Sequence, residues 1–195
     1  MKNYAIIVVD MLYDFIDGSL ACKGADSAVA QTRKLILQKT DVDEIDKDGI
    51  CDTVPVVFIR DHHPANHCSF KENGGIWPVH CVAGTRGGDI HEDLREFVCE
   101  ELTFDKGADP ACEQYSGSEG VNCGGQSLVE VLELLGVSEV LVCGIATEFC
   151  VYQTASDLQK AGFKVTVAKD CLAWVDDQGH MDTLAKMQAE GMKLI

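Results

Sequence analysis

The chain has 195 residues, 46% hydrophobic and 25% charged, with 32 acidic and 16 basic side chains for a formal net charge of −16. That length suits one domain with a full core, residues 1–195. The charge repels a nucleic-acid backbone, the Lys and Arg residues form no basic patch, no apolar run reaches the length of a membrane span, and no signal peptide is expected.

Ala5-Ile-Ile-Val-Val9 is a continuous, largely β-branched run, which predicts a strand buried on both faces. Asp26 reads as an N-cap ahead of a helix over residues 28–38. The acidic stretch 41–48 reads as a solvated loop or helix end. Pro55-Val-Val-Phe-Ile59 predicts a second strand, and residues 101–104 a weaker third. Between them, residues 60–88 are long and irregular, which in a compact domain marks function. Ser127 and Glu130 form a capping box, Leu128, Val131, Leu132 and Leu135 an apolar stripe, and Gly136 a stop. Residues 140–143 predict a fourth strand, running through a Gly-bearing turn into a helix start at Cys150. Val151, Thr154, Ala155 and Leu158 then recur at helical spacing until Gly162. A fifth strand over 164–168, a helix over 180–190 closed by Gly191, and a short strand over 192–195 complete the chain. Strands alternating with helices predict an α/β three-layer sandwich: a mostly parallel six-stranded sheet, Rossmann-like, with helices on both faces.

In an open parallel sheet, ligands bind beyond the carboxyl ends of the strands. Asp10, Asp61 and Lys106 follow the first three predicted strands, and Cys150 follows the fourth after its turn. Each alone has an ordinary explanation as a cap, a surface charge or core filling; four at one sheet edge point to a shared site. A thiol at a helix N-terminus meets the positive end of the macrodipole and backbone N–H groups that can hold an oxyanion. Asp10 is the candidate base for that thiol, and Lys106 the candidate charge partner. The other nine cysteines give no Cys-x-x-Cys pair, and Cys143 lies in an apolar strand pattern. A chain of this length needs no disulfide staples, so reduced thiols in the cytoplasm are expected.

Asp61-His-His63-Pro-Ala-Asn-His67, with His80 soon after, gathers carboxylate and imidazole ligands suited to zinc, iron or manganese. On an extended segment Asp61 and His63 face one side and His62 the other. Phe15 and Trp77 are the candidate aromatic wall of a substrate pocket.

Taken together, Val9-Asp10-Met-Leu-Tyr-Asp14-Phe15, Arg60-Asp61-His-His63-Pro-Ala-Asn-His67, Trp77-Pro-Val-His80-Cys-Val, Asp105-Lys106-Gly107, Tyr115-Ser116-Gly117 and Gly144-Ile-Ala-Thr-Glu-Phe-Cys150-Val151 resemble the nicotinamidase branch of the isochorismatase-like cysteine hydrolases. The resemblance implies a catalytic triad of Asp10, Lys106 and Cys150. It implies one divalent metal ion on Asp61, His63 and His80, zinc first, with His67 as a fourth ligand, direct or through water. Phe15 and Trp77 would sandwich a pyridine ring, and the Ala146 and Cys150 amides would form the oxyanion hole, with a cis peptide before Ala146. The implied activity is hydrolysis of nicotinamide to nicotinate, with pyrazinamide also cleaved, by a homo-oligomer. Leu12, Glu148, Ser118 and the link 41–51 depart from the family pattern. The alternatives are a relative hydrolysing another small amide, carbamoyl compound or ureide, and a non-catalytic metal-binding or redox-sensing protein.

Overall fold

The structure is a computed structural model and describes residues 3–40 and 54–195, so the acidic stretch 41–48 and the link 41–51 lie outside the described residues. Six strands form one sheet: β1 (Tyr4–Val9), β2 (Val56–Asp61), β3 (Thr103–Lys106), β4 (Glu139–Gly144), β5 (Lys164–Leu172) and β6 (Lys193–Leu194). Their order is β3-β2-β1-β4-β5-β6, and every pair is parallel. The expected mostly parallel sheet is therefore parallel throughout.

Alternation along the strands divides the core. Ile6 and Val8 face one side with Phe15 and Ile16 of α1 (Tyr13–Ile16) and Ala28, Val29 and Ile36 of α2 (Ala25–Thr40). Ile7 and Val9 face the other with Leu128 and Leu132 of α3 (Leu128–Leu134), Leu158 of α4 (Tyr152–Lys160) and Met187 of α5 (Asp177–Ala189). Both faces are thus covered, which is why β1 and β4 read as unbroken apolar runs.

The capping box at Ser127 and Glu130 is present, with both reciprocal hydrogen bonds. Leu135, expected in the apolar stripe, is instead 41% exposed, because it falls at the C-cap beyond the last full turn. Two helix starts differ from expectation. Helix α2 begins at Ala25, so Asp26 lies in the first turn and is not its cap. A bridge between Lys23 and Trp174 delivers the chain to that start. Helix α5 begins earlier than residue 180, because the Asp176 side chain accepts the Gly179 N–H and caps it.

Gly144 ends β4 at φ +132°, and a Cβ there would overlap the Val9 carbonyl oxygen. Gly136 also has positive φ, +68°, but faces open space. Gly144→Ala is expected to destabilise the fold by about 3 kcal/mol or more, and Gly136→Ala by only about 1–2 kcal/mol. Urea denaturation of the two variants checks the difference.

Candidate active site

The sheet order reverses at β1, whose neighbours β2 and β4 lead to opposite edges. The carboxyl ends of β1 and β4 flank that switch point, where an open α/β sheet leaves a crevice. Asp10 follows β1, Asp61 ends β2, Lys106 ends β3, and Cys150 lies in a π-type turn, Thr147–Val151, after β4. Register does part of the assembly, since Asp61 is the direct strand partner of Lys106.

All four side chains are buried. The Lys106 ammonium lies 3.0 Å from Asp10 Oδ2 and 3.4 Å from Cys150 Sγ, and it also pairs with Asp61 Oδ1. Acceptor atoms of Asp10, Asp61 and Cys150 lie within 4.8 Å of one another. Asp10 adopts a left-handed conformation, φ +49°, which is unusual for a non-glycine residue and costs on the order of 1–3 kcal/mol. Its Oδ1 accepts the Asp61 N–H at 3.0 Å, which orients the carboxylate.

The charges are unequally placed. Burial opposes the charged form of Asp61, but Lys106 and His63 outweigh it and hold the carboxyl well below its ordinary pKa. Burial, aided by Asp61, pushes Asp10 up to about 6 against the pull of Lys106. Burial would lower the Lys106 pKa, yet Asp10 and Asp61 raise it well above the usual value, so it stays charged. Burial pushes the Cys150 thiol up; Lys106 opposes this while Asp10 and Asp61 add to it. A neutral thiol beside a carboxylate of raised basicity is the arrangement in which a proton passes during attack.

Beside this group stand Asp61, His63 and His80, whose ligand atoms also lie within 4.8 Å of one another. Nδ1 of His63 faces the Gly107 carbonyl at 3.0 Å, and Nδ1 of His80 faces the Pro78 carbonyl at 2.7 Å. A carbonyl only accepts, so both Nδ1 atoms donate and each neutral ring keeps its lone pair on Nε2. His63 Nε2 is buried without a hydrogen bond, 3.4 Å from Asp61 Oδ2, and His80 Nε2 is 3.9 Å from the same oxygen. Burial lowers the pKa of His80. It acts the same way on His63, but Asp61 outweighs it and raises that pKa. An orphaned nitrogen, a second lone pair and a carboxylate converging, each ring oriented by a carbonyl, fit a divalent metal ion.

His67 is not brought into that set. Its Nδ1 accepts from the Ser69 hydroxyl at 2.7 Å and its Nε2 donates to the Cys112 carbonyl at 3.0 Å, so both ring nitrogens are occupied. The ring instead stacks on His63, with centroids 4.0 Å apart. His62 faces Asp105 and lies outside the set, as its strand parity requires.

A pocket opens over Cys150, Asp61 and His80. Phe15, Trp77 and Ala146 line it. The Phe15 ring lies 5.5 Å from that of His80, and Trp77 stands edge-on to Phe149 at 5.1 Å while donating to the Tyr115 hydroxyl at 3.0 Å. Phe149, Tyr115 and Glu113 also line the pocket; Tyr115 and Phe149 lie in motifs that carry the family resemblance, but none of the three was expected as a pocket wall. Adjacency to Cys150 in the turn was the one available signal for Phe149. The Ile145–Ala146 peptide is cis, as the resemblance implied, and Ala146 adjoins the Cys150 turn.

Residues 4–195 match the isochorismatase domain. The chain is 34% identical to the nicotinamidase/pyrazinamidase of Mycobacterium tuberculosis, over 98% of this chain and 97% of that one. It superposes on the pyrazinamidase of Pyrococcus horikoshii in complex with zinc with a TM-score of 0.81 at 33% identity, covering 99% and 98% of the two chains. It superposes equally on PnC1 from L. infantum in complex with nicotinate, with a TM-score of 0.81 at 31% identity and coverage of 99% and 92%.

Proposed function

The chain belongs to the isochorismatase family, and from that premise we propose that it is a cysteine amidohydrolase converting nicotinamide to nicotinate and ammonia, and that it also cleaves pyrazinamide. The observation that carries the reading is one pocket that holds the Cys150 thiol beside Asp61 and His80, walled by aromatic rings. An ordinary thiol hydrolase needs no such cation corner; a flat heteroaryl amide with a ring nitrogen has a use for it.

Asp61, His63 and His80 would hold the divalent ion, with zinc the first choice from the ligand set and from the zinc complex of the Pyrococcus relative. When bound, such an ion supplies a Lewis-acid anchor for the substrate end remote from the amide. The protein's own residues carry the reaction. Phe15 and Trp77 flank the ring and hold the carboxamide against Cys150, removing much of the entropic barrier. Asp10 takes the thiol proton as sulfur attacks the amide carbon, and Lys106 stabilises the negative charge that develops on sulfur as the Asp10 carboxylate is neutralised. The Ala146 and Cys150 N–H groups receive the oxyanion. Asp10 returns its proton to departing ammonia, then deprotonates the water that hydrolyses the thioester. Glycine at 107 serves the site, because a Cβ there would overlap the His63 ring.

Ammonia release from nicotinamide by the purified protein tests the reading, alongside pyrazinamide and simple ureides. Turnover of a ureide with none of nicotinamide would overturn it. Dialysis against a chelator is expected to remove the activity, and zinc, iron or manganese to restore it. Trp77→Ala is expected to raise KM for nicotinamide roughly tenfold, since an aromatic contact contributes about 0.5–1.5 kcal/mol beyond burial. No helix among the described residues is long and apolar enough to cross a membrane. Nine free cysteines among the described residues, three of them exposed, suit the reducing cytoplasm, where we place the enzyme as a homo-oligomer.

A further inference from the structure

Asp14 belongs to a motif carrying Asp10 and Phe15, yet it does not touch the pocket, and its contacts run elsewhere. Its Oδ2 accepts the Cys81 N–H at 2.7 Å, and its Oδ1 accepts the Ser19 N–H at 3.2 Å. The Ser19 hydroxyl in turn donates to the Val79 carbonyl at 2.7 Å. The backbone is therefore gripped at residues 79 and 81, on either side of His80. Cys81 is one of two non-glycine residues with positive φ among the described residues, +49°, a conformation that persists only where its surroundings impose it. The grip is closely fitted, since a Cβ on Gly18 or on Gly87 would overlap the Asp14 carboxylate. The next residue, Phe15, puts its ring beside His80, so α1 supplies both the pocket wall and the clamp.

We propose that Asp14, with Ser19, is a positioning residue for the His80 ligand: it fixes the 79–81 backbone so that Nε2 of His80 meets Asp61 and His63. The proposal rests on the cation site described above. The imidazole ring is restrained by the Pro78 carbonyl on Nδ1 and by the neighbouring rings of Phe15, His63 and Phe70. Holding the backbone on both sides removes the remaining freedom, which is the usual task of groups behind a metal ligand.

Titration of the chelator-treated, full-length protein with Co²⁺, followed by visible absorption, tests this without reference to turnover. Asp14→Ala is expected to weaken Co²⁺ binding about 10–100-fold and to alter the absorption of the bound ion, because the ligand geometry changes. Asp14→Asn keeps one carbonyl oxygen, enough for the Cys81 N–H but not also for the Ser19 N–H, and is expected to recover part of the affinity and to bring the spectrum back toward the original. Ser19→Ala, which keeps the carboxylate, is expected to show a smaller loss in the same direction, and it carries the test if Asp14→Ala does not fold. Ser138→Ala, which loses comparable hydrogen bonds to Asn3 far from the site, is expected to leave the titration unchanged. Wild-type affinity and spectrum in the folded Asp14 and Ser19 variants would overturn the proposal. Wild-type binding by His80→Ala would overturn it differently, by showing that the cation site itself is wrongly assigned.

Discussion

Cys150→Ala is expected to lower kcat/KM for nicotinamide by about 10⁴-fold or more, equivalent to roughly 5.5 kcal/mol of lost transition-state stabilisation. The loss should fall on kcat, because the pocket walls that bind the ring are untouched. Stability should change by no more than about 1 kcal/mol, since a buried thiol flanked by two carboxylates is there for chemistry and not for packing. Cys22→Ala is the informative comparison. Cys22 lines the same pocket, but burial pushes its thiol up to about 12, and among the described residues the thiol hydrogen-bonds to the Leu20 carbonyl alone. Among the described residues neither a lysine nor a carboxylate is hydrogen-bonded to that thiol, and its removal is expected to leave kcat/KM within about threefold of wild type. Equal ammonia release by Cys150→Ala and wild type would remove Cys150 from the mechanism. A large loss with Cys22→Ala alone would move the nucleophile to the other side of the pocket.

Lys106→Met should be costly in two separate ways. Lys106 is the one lysine among the described residues that pairs with three buried groups that carry or develop negative charge, Asp10, Asp61 and Cys150. Removing one partner from a buried ion pair leaves an uncompensated charge, and a loss of about 3–5 kcal/mol of stability is expected in urea denaturation. Activity should fall about 10³-fold or further, because neither the thiolate nor the carboxylate that accepts its proton is then electrostatically supported. The double variant Asp10→Asn/Lys106→Met separates these effects. Neutral Asn needs no ion partner, so the double variant should regain at least half of the lost stability while remaining inactive. If the double variant is as unstable as the sum of its singles, the Asp10–Lys106 pairing has no energetic content. Lys106→Arg should not restore activity, because a planar guanidinium does not occupy the space of a compact ammonium held between two carboxylates and a sulfur.

The ordering of these effects explains an apparent excess in the site. Two carboxylates share one lysine, which leaves the corner anionic before any cation binds. A divalent ion on Asp61, His63 and His80 would complete that balance, and chelation is therefore expected to affect local stability as well as turnover.

Much of the fold was legible from local chemistry. Runs of β-branched residues announced β1, β2 and β4, because a strand covered on both faces has no polar side to alternate with. The Ser127–Glu130 box announced α3, since its two reciprocal hydrogen bonds are complete within four residues. The start of α2 lies ahead of Asp26 because Trp174, distant in sequence, sets the preceding turn. The site divides in the same way. Asp10, Asp61, Lys106 and Cys150 stood out because a parallel sheet brings strand ends to one edge whatever the loops do. His67 could not be placed, because spacing alone does not say that the Ser69 hydroxyl and the Cys112 carbonyl occupy its nitrogens. Tyr115, Glu113 and Phe149 were missed as pocket walls because their approach depends on loops meeting across the crevice.

By itself, then, the sequence determined the layered α/β architecture and which reactive residues share its active edge, because periodicity, caps and strand ends are properties of short segments. Only the tertiary structure decided the pairing of Lys106 with two carboxylates and the thiol, the tautomers that turn two Nε2 lone pairs toward Asp61, and the clamp of Asp14 on the His80 loop. Apart from the local His80–Pro78 hydrogen bond, those are contacts between residues tens of positions apart, and their strength depends on exclusion from water, which no short segment achieves alone.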